Sequence, residues 1–322
     1  MNTLKEKRFK GEIERYLNQN HNLFESRVKD VFSLLNIKTW LHRTGIFKKE
    51  GYHAAHLLFV LVVLPVLKLK TVHSFCNKFW YHWSQSQKDT FYRFKRNTSY
   101  RWRAFLLKIN LQVFENLEID KIPVQERYFI LDDTVFRKRG KQLENISFVR
   151  DHSLEKSVLG YCTVVLTLFT DKGVYPLDFA YRFGKTRHPK SQPEMIKSPK
   201  SSFGQRSYEA KYKTKLESGK DMIARALKNG ITPGYVLFDS WYSHPSFIKS
   251  ILDLDEQIHV VCRLKSSKTR YWYQNKPYTL NELYKKVQSS LKKDAKIGLP
   301  VKRVSVTLPG FGTDEMIRNC FY

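Results

Sequence analysis

The sequence predicts an α/β protein in which a mixed β-sheet follows a helical N-terminal region. Three features predict this fold class: apolar residues at helical spacing before residue 120, β-branched runs from about residue 127, and alternating helices and strands after them. The length of 322 residues allows two domains, which we expect at 1–120 and 121–322.

The chain is strongly basic. It has 57 Lys and Arg residues against 30 Asp and Glu residues, which gives a formal charge of +27. A hydrophobic fraction of 42% and an aromatic fraction of 14% exclude a disordered basic tail, which would contain few aromatic residues. A folded chain with this charge is expected to bind a polyanion.

The first 120 residues are expected to be helical. Apolar residues recur there at helical spacing, at Leu17, Phe24, Val28, Val31, Phe32 and Leu35. The apolar run 54–67 is shorter than a membrane span and contains His56 and Pro65, so it predicts a buried helix. Four widely separated cysteines and the lack of an apolar signal segment indicate a protein of the reducing cytoplasm.

From about residue 127 the pattern indicates the order β-β-β-α-β-α-β. Strands are expected at 128–136, 158–170, 174–183, 235–238 and 258–264, and helices at 214–229 and 245–252. The turn 171–173 predicts a hairpin between the second and third strands. The prolines between 182 and 212 argue against regular structure in that stretch.

Acidic residues stand at the ends of two of these strands. Asp132 and Asp133 interrupt the first strand, and Asp239 follows the fourth. If these strands are neighbours, Asp132 and Asp239 meet at one edge of the sheet and could bind Mg²⁺ or Mn²⁺ through oxygen ligands. The alternative is that Asp133 and Asp239 are turn or cap residues, since a helix follows Asp239. Residue spacing by itself favours neither interpretation.

Basic residues predict a surface that contacts phosphates. Segments 71–83 and 88–96 could form a helix-turn-helix. The expected DNA contacts of this region are Lys88, Arg93, Lys95, Arg96, Arg101 and Arg103. Phe91 and Phe94 are expected in the core. The alternative is that the charges are merely solvated.

A second basic stretch, 182–228, has 13 basic and 4 acidic residues. It could follow a phosphate backbone through Lys185, Arg187 and Lys190. A mobile, solvated loop is the alternative interpretation of this stretch.

The chain resembles the DDE transposases of bacterial insertion sequences, most closely the insertion-sequence-4-type group. The resemblance covers about residues 50–310. It is carried by the strand order, Asp132-Asp133-Thr134, Asp239 in VLFDSWYS, Lys138 to Gly140, Glu144, Asp151-His152 and the upstream segment KDTFYRFKRNTSYRWRAFLL.

The resemblance implies an RNase H-like fold with Asp132 and Asp239 as catalytic metal ligands for Mg²⁺ or Mn²⁺. It also implies cleavage at transposon ends, then strand transfer to target DNA. Such a protein would act in the bacterial cytoplasm, associated with the nucleoid. Whether it forms a homo-oligomer is left open by the sequence.

The third catalytic acid of that group is not found in its expected pattern, Tyr-x2-Arg-x3-Glu-x6-Lys. Glu282 has Tyr278 and Asn275 at the Arg and Tyr positions, and Glu315 does not fit either. The sequence therefore predicts a C-terminally shortened catalytic domain, with a β-rich insertion beginning near residue 265. Such a chain would bind DNA and cut it poorly. The alternatives are a DNA-binding remnant without activity and a nuclease with another third acid, such as Glu282 or Asp178.

Overall fold

A computed structural model describes residues 26–83, 86–140, 143, 146–184, 200–265, 267–293, 300–307 and 316–321. The chain divides into two compact units. The first comprises Met1–Lys121, Val135–Tyr161 and Pro176–Tyr212, and the second comprises Ile122–Thr134, Cys162–Tyr175 and Lys213–Tyr322. The predicted α/β class with a mixed sheet is confirmed.

The N-terminal part of the first unit is helical. Its helices are α1 (Ile37–Arg43), α2 (Ala54–Val66), α3 (Val72–Trp83), α4 (Lys88–Lys95) and α5 (Trp102–Asn116). Residues 26–34 are also helical. The core of this bundle contains Leu57, Val60 and Val63 of α2 together with Phe91 and Phe94 of α4. No described helix is long and apolar enough to cross a membrane.

The main sheet has six strands. They are β1 (Tyr128–Arg137), β2 (Ser147–Asp151), β3 (Lys156–Thr170), β4 (Gly173–Arg182), β5 (Tyr235–Phe238) and β6 (His259–Cys262). Their order is β2-β3-β1-β5-β6, and β4 pairs with β3. The helices between these strands are α6 (Ser202–Tyr212), α7 (Lys215–Lys228) and α8 (Pro245–Leu252).

Strands β1, β5 and β6 of the second unit form its parallel part. Tyr128 to Leu131 pair with Tyr235 to Phe238, and these pair in turn with His259 to Cys262. Phe129 and Leu131 are fully buried, since one side of β1 packs against α7. The two predicted strands are therefore neighbours, and β5 ends beside the middle of β1.

Residues after 265 in the second unit form a separate antiparallel sheet. Its strands are β7 (Tyr271–Tyr273), β8 (Lys276–Tyr278), β9 (Lys292–Lys293), β10 (Pro300–Thr307) and β11 (Met316–Phe321), with helix α9 (Leu280–Val287) after β8. The order is β11-β10-β7-β8, and β9 pairs with β10. This is the region where the sequence predicts a β-rich insertion.

Two elements differ from the sequence prediction. Strand β2 is not expected from its five residues, and it forms because it pairs antiparallel with Lys156 to Gly160 of β3. Helix α6 occupies 202–212, so the expectation of irregular chain up to 212 is wrong for these residues. Pro199, the last proline before this helix, precedes its first residue and therefore does not interrupt it. Leu17, Phe24, Glu144 and Glu315 lie outside the described residues.

Candidate active site

The candidate active site lies where the pairing of β1 with β5 stops, in the middle of β1 and directly after β5. The pairing of these parallel strands stops at Leu131 opposite Phe238. Asp132 is the next residue of β1, and Asp239 directly follows β5. Both side chains are exposed. The fold thus places the two acids predicted as catalytic metal ligands directly after the last paired residues of neighbouring strands, although they are 107 positions apart in the sequence.

Asp133 points to the other side of the strand and is held by three side chains. The Lys215 ammonium lies 2.7 Å from its Oδ2, and the Tyr242 hydroxyl donates to Oδ1 at 3.1 Å. The Cys162 thiol donates to Oδ2 at 3.3 Å. Asp133 therefore accepts from three side chains of the second unit, whereas Asp132 accepts only the Asp133 backbone N–H, at 2.8 Å, among the contacts described for it.

The surroundings of Asp133 favour the neutral forms of two of its hydrogen-bond donors, the Cys162 thiol and the Tyr242 phenol. Burial, and then the Asp133 charge, raises the pKa of the Cys162 thiol to about 12. The same two causes raise the pKa of the Tyr242 phenol well above its usual range. Both groups consequently remain protonated at neutral pH and donate hydrogen bonds to the carboxylate.

Helix α7 brings Lys215 to this point. Thr214 caps the helix by accepting the Glu217 N–H, and the Glu217 carboxylate accepts the Thr214 N–H at 2.6 Å. Lys215 is thus the first residue of a well-defined helix. Its ammonium also lies 4.5 Å from the centre of the Trp241 ring, two residues after Asp239.

Sequence reasoning missed the roles of Lys215, Cys162 and Tyr242. The predicted helix start at 214 and the closeness of Tyr242 to Asp239 were the available signals. Neither signal says which partner those side chains meet, because Asp133 is 82 positions from Lys215 and 109 from Tyr242.

The donor set suits a hard divalent cation. Asp132 and Asp239 offer carboxylate oxygens, which Mg²⁺ and Mn²⁺ prefer. In the part of the chain that the structure describes, no group of three or more His, Cys, Asp or Glu side chains could hold a metal ion.

The other acids considered as a third ligand have partners of their own. Glu282 lies in the first turn of α9, where its carboxylate accepts the Thr279 N–H at 2.7 Å. That hydrogen bond lowers the pKa of Glu282. Asp178, in the first unit, forms an ion pair with Arg103 at 2.8 Å.

Most of the basic residues predicted on the helical region are exposed. These are Lys88, Arg93, Lys95, Arg96 and Arg101. Partial desolvation, followed by the charges of Lys138 and Arg96, lowers the pKa of the Lys95 ammonium. Arg93 lines an open cleft of about 490 Å³ with Lys48 and Lys49. This surface carries closely spaced positive charge.

Arg103 differs from the others. Its guanidinium is bound by Asp178 at 2.8 Å and by Glu209 at 2.7 Å, and 16% of its side chain is exposed. These carboxylates raise its pKa, although burial opposes them. Arg103 therefore joins α5, β4 and α6 within the first unit and does not extend the exposed basic surface. Lys185, Arg187 and Lys190 lie outside the described residues.

Comparison with known proteins places these features in a family. A family model described as DDE superfamily endonuclease matches residues 65–287, more than half of the chain. A search of curated proteins gives no match. The matched range contains Asp132, Asp239 and the whole parallel part of the main sheet. On this match, the chain belongs to the DDE superfamily endonucleases.

Proposed function

We propose that this protein is a DNA transposase of the insertion-sequence-4-type group, with an RNase H-like catalytic sheet. The observation that carries the proposal is that the exposed residues Asp132 and Asp239 directly follow the last paired residues of the neighbouring parallel strands β1 and β5. The strand order, with β3 and β5 on either side of β1, supports the RNase H-like assignment. Membership of the DDE superfamily endonucleases implies DNA as the substrate.

Asp132 and Asp239 would hold the divalent cation. When bound, Mg²⁺ or Mn²⁺ would activate a water or a 3′-hydroxyl for attack on a phosphodiester and stabilise the leaving oxygen. The chain's own contribution is to fix the two carboxylates on one side of the sheet, where DNA can reach them. A protein with this activity would act on the chromosome in the bacterial cytoplasm.

The exposed basic residues would hold the DNA. Lys88, Arg93, Lys95 and Arg96 on and next to α4 could contact phosphates, and Arg101 could extend this surface while donating to the Thr44 carbonyl at 3.1 Å. Phosphate contacts would position the DNA without reading its sequence. Lys185, Arg187 and Lys190 remain part of the proposal on sequence grounds.

The proposal is tested by nicking of transposon-end DNA with Mg²⁺ and with Mn²⁺. Asp132→Asn and Asp239→Asn should each remove cleavage, while Asp253→Asn, which changes an exposed acid paired with Lys249, should not. All three variants should bind DNA as tightly as the wild type. Cleavage that survives both Asp132→Asn and Asp239→Asn would refute the assignment of the site.

We further infer that cleavage by this chain is weak, because neither Glu282 nor Glu315 fits the pattern that carries the third catalytic acid in this group. Positional errors of about 1 Å in a catalytic site can cost about 100-fold in rate. Efficient cleavage that depends on Glu282 or Asp178 would favour the nuclease alternative instead. DNA binding without any cleavage would favour the inactive remnant.

A further inference from the structure

The two segments that carry the candidate metal ligands are linked by the residues next to those ligands. Asp133 directly follows Asp132 on β1, and Tyr242 lies three residues after Asp239. The Tyr242 hydroxyl donates to Asp133 Oδ1 at 3.1 Å. This hydrogen bond therefore connects the middle of β1 to the turn after β5.

Packing fixes the Tyr242 side chain. The residue is fully buried, and its ring lies 6.2 Å from the Phe238 ring and 6.1 Å from the Phe247 ring. Its backbone N–H donates to the Asp239 carbonyl at 3.2 Å, which closes the turn. A ring held in this way can place its hydroxyl in only a narrow range of positions.

Lys215 completes the connection from a third element. Its ammonium balances the charge of Asp133 at 2.7 Å and lies over the exposed Trp241 ring. Lys215 donates to Asp133 Oδ2, and Tyr242 donates to Oδ1 of the same carboxylate. Helix α7 and the turn after β5 are thus both bonded to Asp133.

We propose that Tyr242, Asp133 and Lys215 form a clamp that sets the separation of Asp132 and Asp239. All three are positioning residues, since they act through their neighbours on the chain. This inference rests on the proposed function for its consequence, which is metal affinity. The existence of the clamp itself does not depend on the metal.

The main test variant is Tyr242→Phe, which keeps the packed ring and removes only the hydroxyl. The matched control is Tyr235→Phe, which removes a hydroxyl from the first residue of β5. Tyr235 lies beside Tyr128 and His259, and Tyr242 lies beyond the other end of β5. Asp133→Asn serves as a second variant, because it removes the charge that Lys215 balances while keeping an oxygen that can accept from Tyr242.

Hydrogen exchange followed by mass spectrometry tests the clamp directly in the full chain. Peptides covering 128–137 and 235–245 should exchange faster in Tyr242→Phe than in the wild type, with both segments affected together. Tyr235→Phe should leave exchange near Asp133 and Trp241 unchanged. Equal exchange in both peptides for wild type and Tyr242→Phe would overturn the clamp.

Mn²⁺ binding, followed by electron paramagnetic resonance, tests its consequence. Partners that orient metal ligands typically change metal affinity by about 10- to 100-fold when removed. We expect Tyr242→Phe to weaken Mn²⁺ binding by about that factor, with the melting temperature and DNA affinity close to those of Tyr235→Phe. Unchanged Mn²⁺ affinity in Tyr242→Phe would show that the hydroxyl does not position the ligands.

The two proposals fail in different ways. If the wild type binds no Mn²⁺, or binds it equally well after Asp132→Asn and Asp239→Asn, the proposed function fails while the exchange result still decides the clamp. If Mn²⁺ binding requires Asp132 and Asp239 but not the Tyr242 hydroxyl, the metal site stands and the clamp is refuted.

Discussion

Asp132 and Asp133 are neighbours in sequence with opposite surroundings. Asp132 is exposed beside the end of β5, whereas Asp133 is held by Lys215, Tyr242 and Cys162. Side chains on a strand alternate between the two sides of a sheet, so only one of two adjacent acids can face Asp239. This alternation supports Asp132 as the metal ligand and gives Asp133 a structural task.

Cys162 provides a prediction about this environment. Its thiol has a pKa of about 12 against an ordinary value of 9.0, and the reactive form is the thiolate. At pH 8 the folded protein should therefore contain roughly a thousandfold less Cys162 thiolate than the unfolded chain. Alkylation by iodoacetamide, followed by peptide mass spectrometry, should be slow in the folded state and fast in urea.

The direction of the Cys162 pKa shift can be checked by varying the pH and by testing a variant. Because the pKa is raised, labelling of folded Cys162 should keep increasing up to at least pH 10. Asp133→Asn removes the nearby negative charge and should speed the reaction. Equal labelling rates in the folded and urea-unfolded protein would contradict the buried, neutral thiol.

At the scale of elements, helix α7 is positioned by a close approach to β1. A Cβ atom added at Gly219 would lie 2.6 Å from Leu131 Cδ2 and 3.4 Å from the Phe247 ring. Leu131 is fully buried and directly precedes Asp132. Gly219 therefore allows the helix that carries Lys215 to pack against the strand that carries the two acids.

We predict that Gly219→Ala destabilises the protein by about 1–3 kcal/mol, because the added methyl group overpacks against Leu131. Urea unfolding should show a lower midpoint. In a Leu131→Ala background the same change should be neutral or stabilising, since the space is free and alanine favours helices. Equal effects in both backgrounds would show that the contact with Leu131 does not limit the packing.

The charge of the whole molecule sets how it should meet DNA. The surplus of +27 includes 21 basic and 10 acidic residues in positions 1–120. Lys88, Arg93, Lys95 and Arg96 are exposed there, whereas Arg103 is neutralised by Asp178 and Glu209. Net charge is therefore an incomplete guide to DNA contacts, because ion pairs within the fold use part of it.

We predict a steep salt dependence of DNA binding. If about 6–10 phosphates are contacted, affinity should fall roughly 10³- to 10⁵-fold between about 50 and 200 mM salt. Arg93→Ala should reduce the slope of log K against log salt by about 1. Fluorescence anisotropy with duplex DNA at several salt concentrations measures both quantities.

Lys249→Ala is the control for this measurement, since Lys249 lies 3.5 Å from Asp253 on α8. It should leave the slope unchanged. A slope that is the same for the wild type, Arg93→Ala and Lys249→Ala would remove Arg93 from the DNA-contacting surface.

The sequence by itself determined the parallel strands, the helices between them and the acids that interrupt or follow two of these strands. These follow from local patterns: β-branched runs, a Thr cap before α7, and polar residues where a buried strand stops. It did not determine strand β2, which depends on pairing with β3. It also did not determine helix α6, which forms from the residues after Pro199.

Only the tertiary structure decided which residue of β1 follows its pairing with β5 and what holds Asp133. The register makes Leu131 the last paired residue, so that Asp132 directly follows it. The contacts of Asp133 with Lys215 and Tyr242 join positions 82 and 109 residues apart. Such contacts follow from the packing of separate elements, which no local pattern contains.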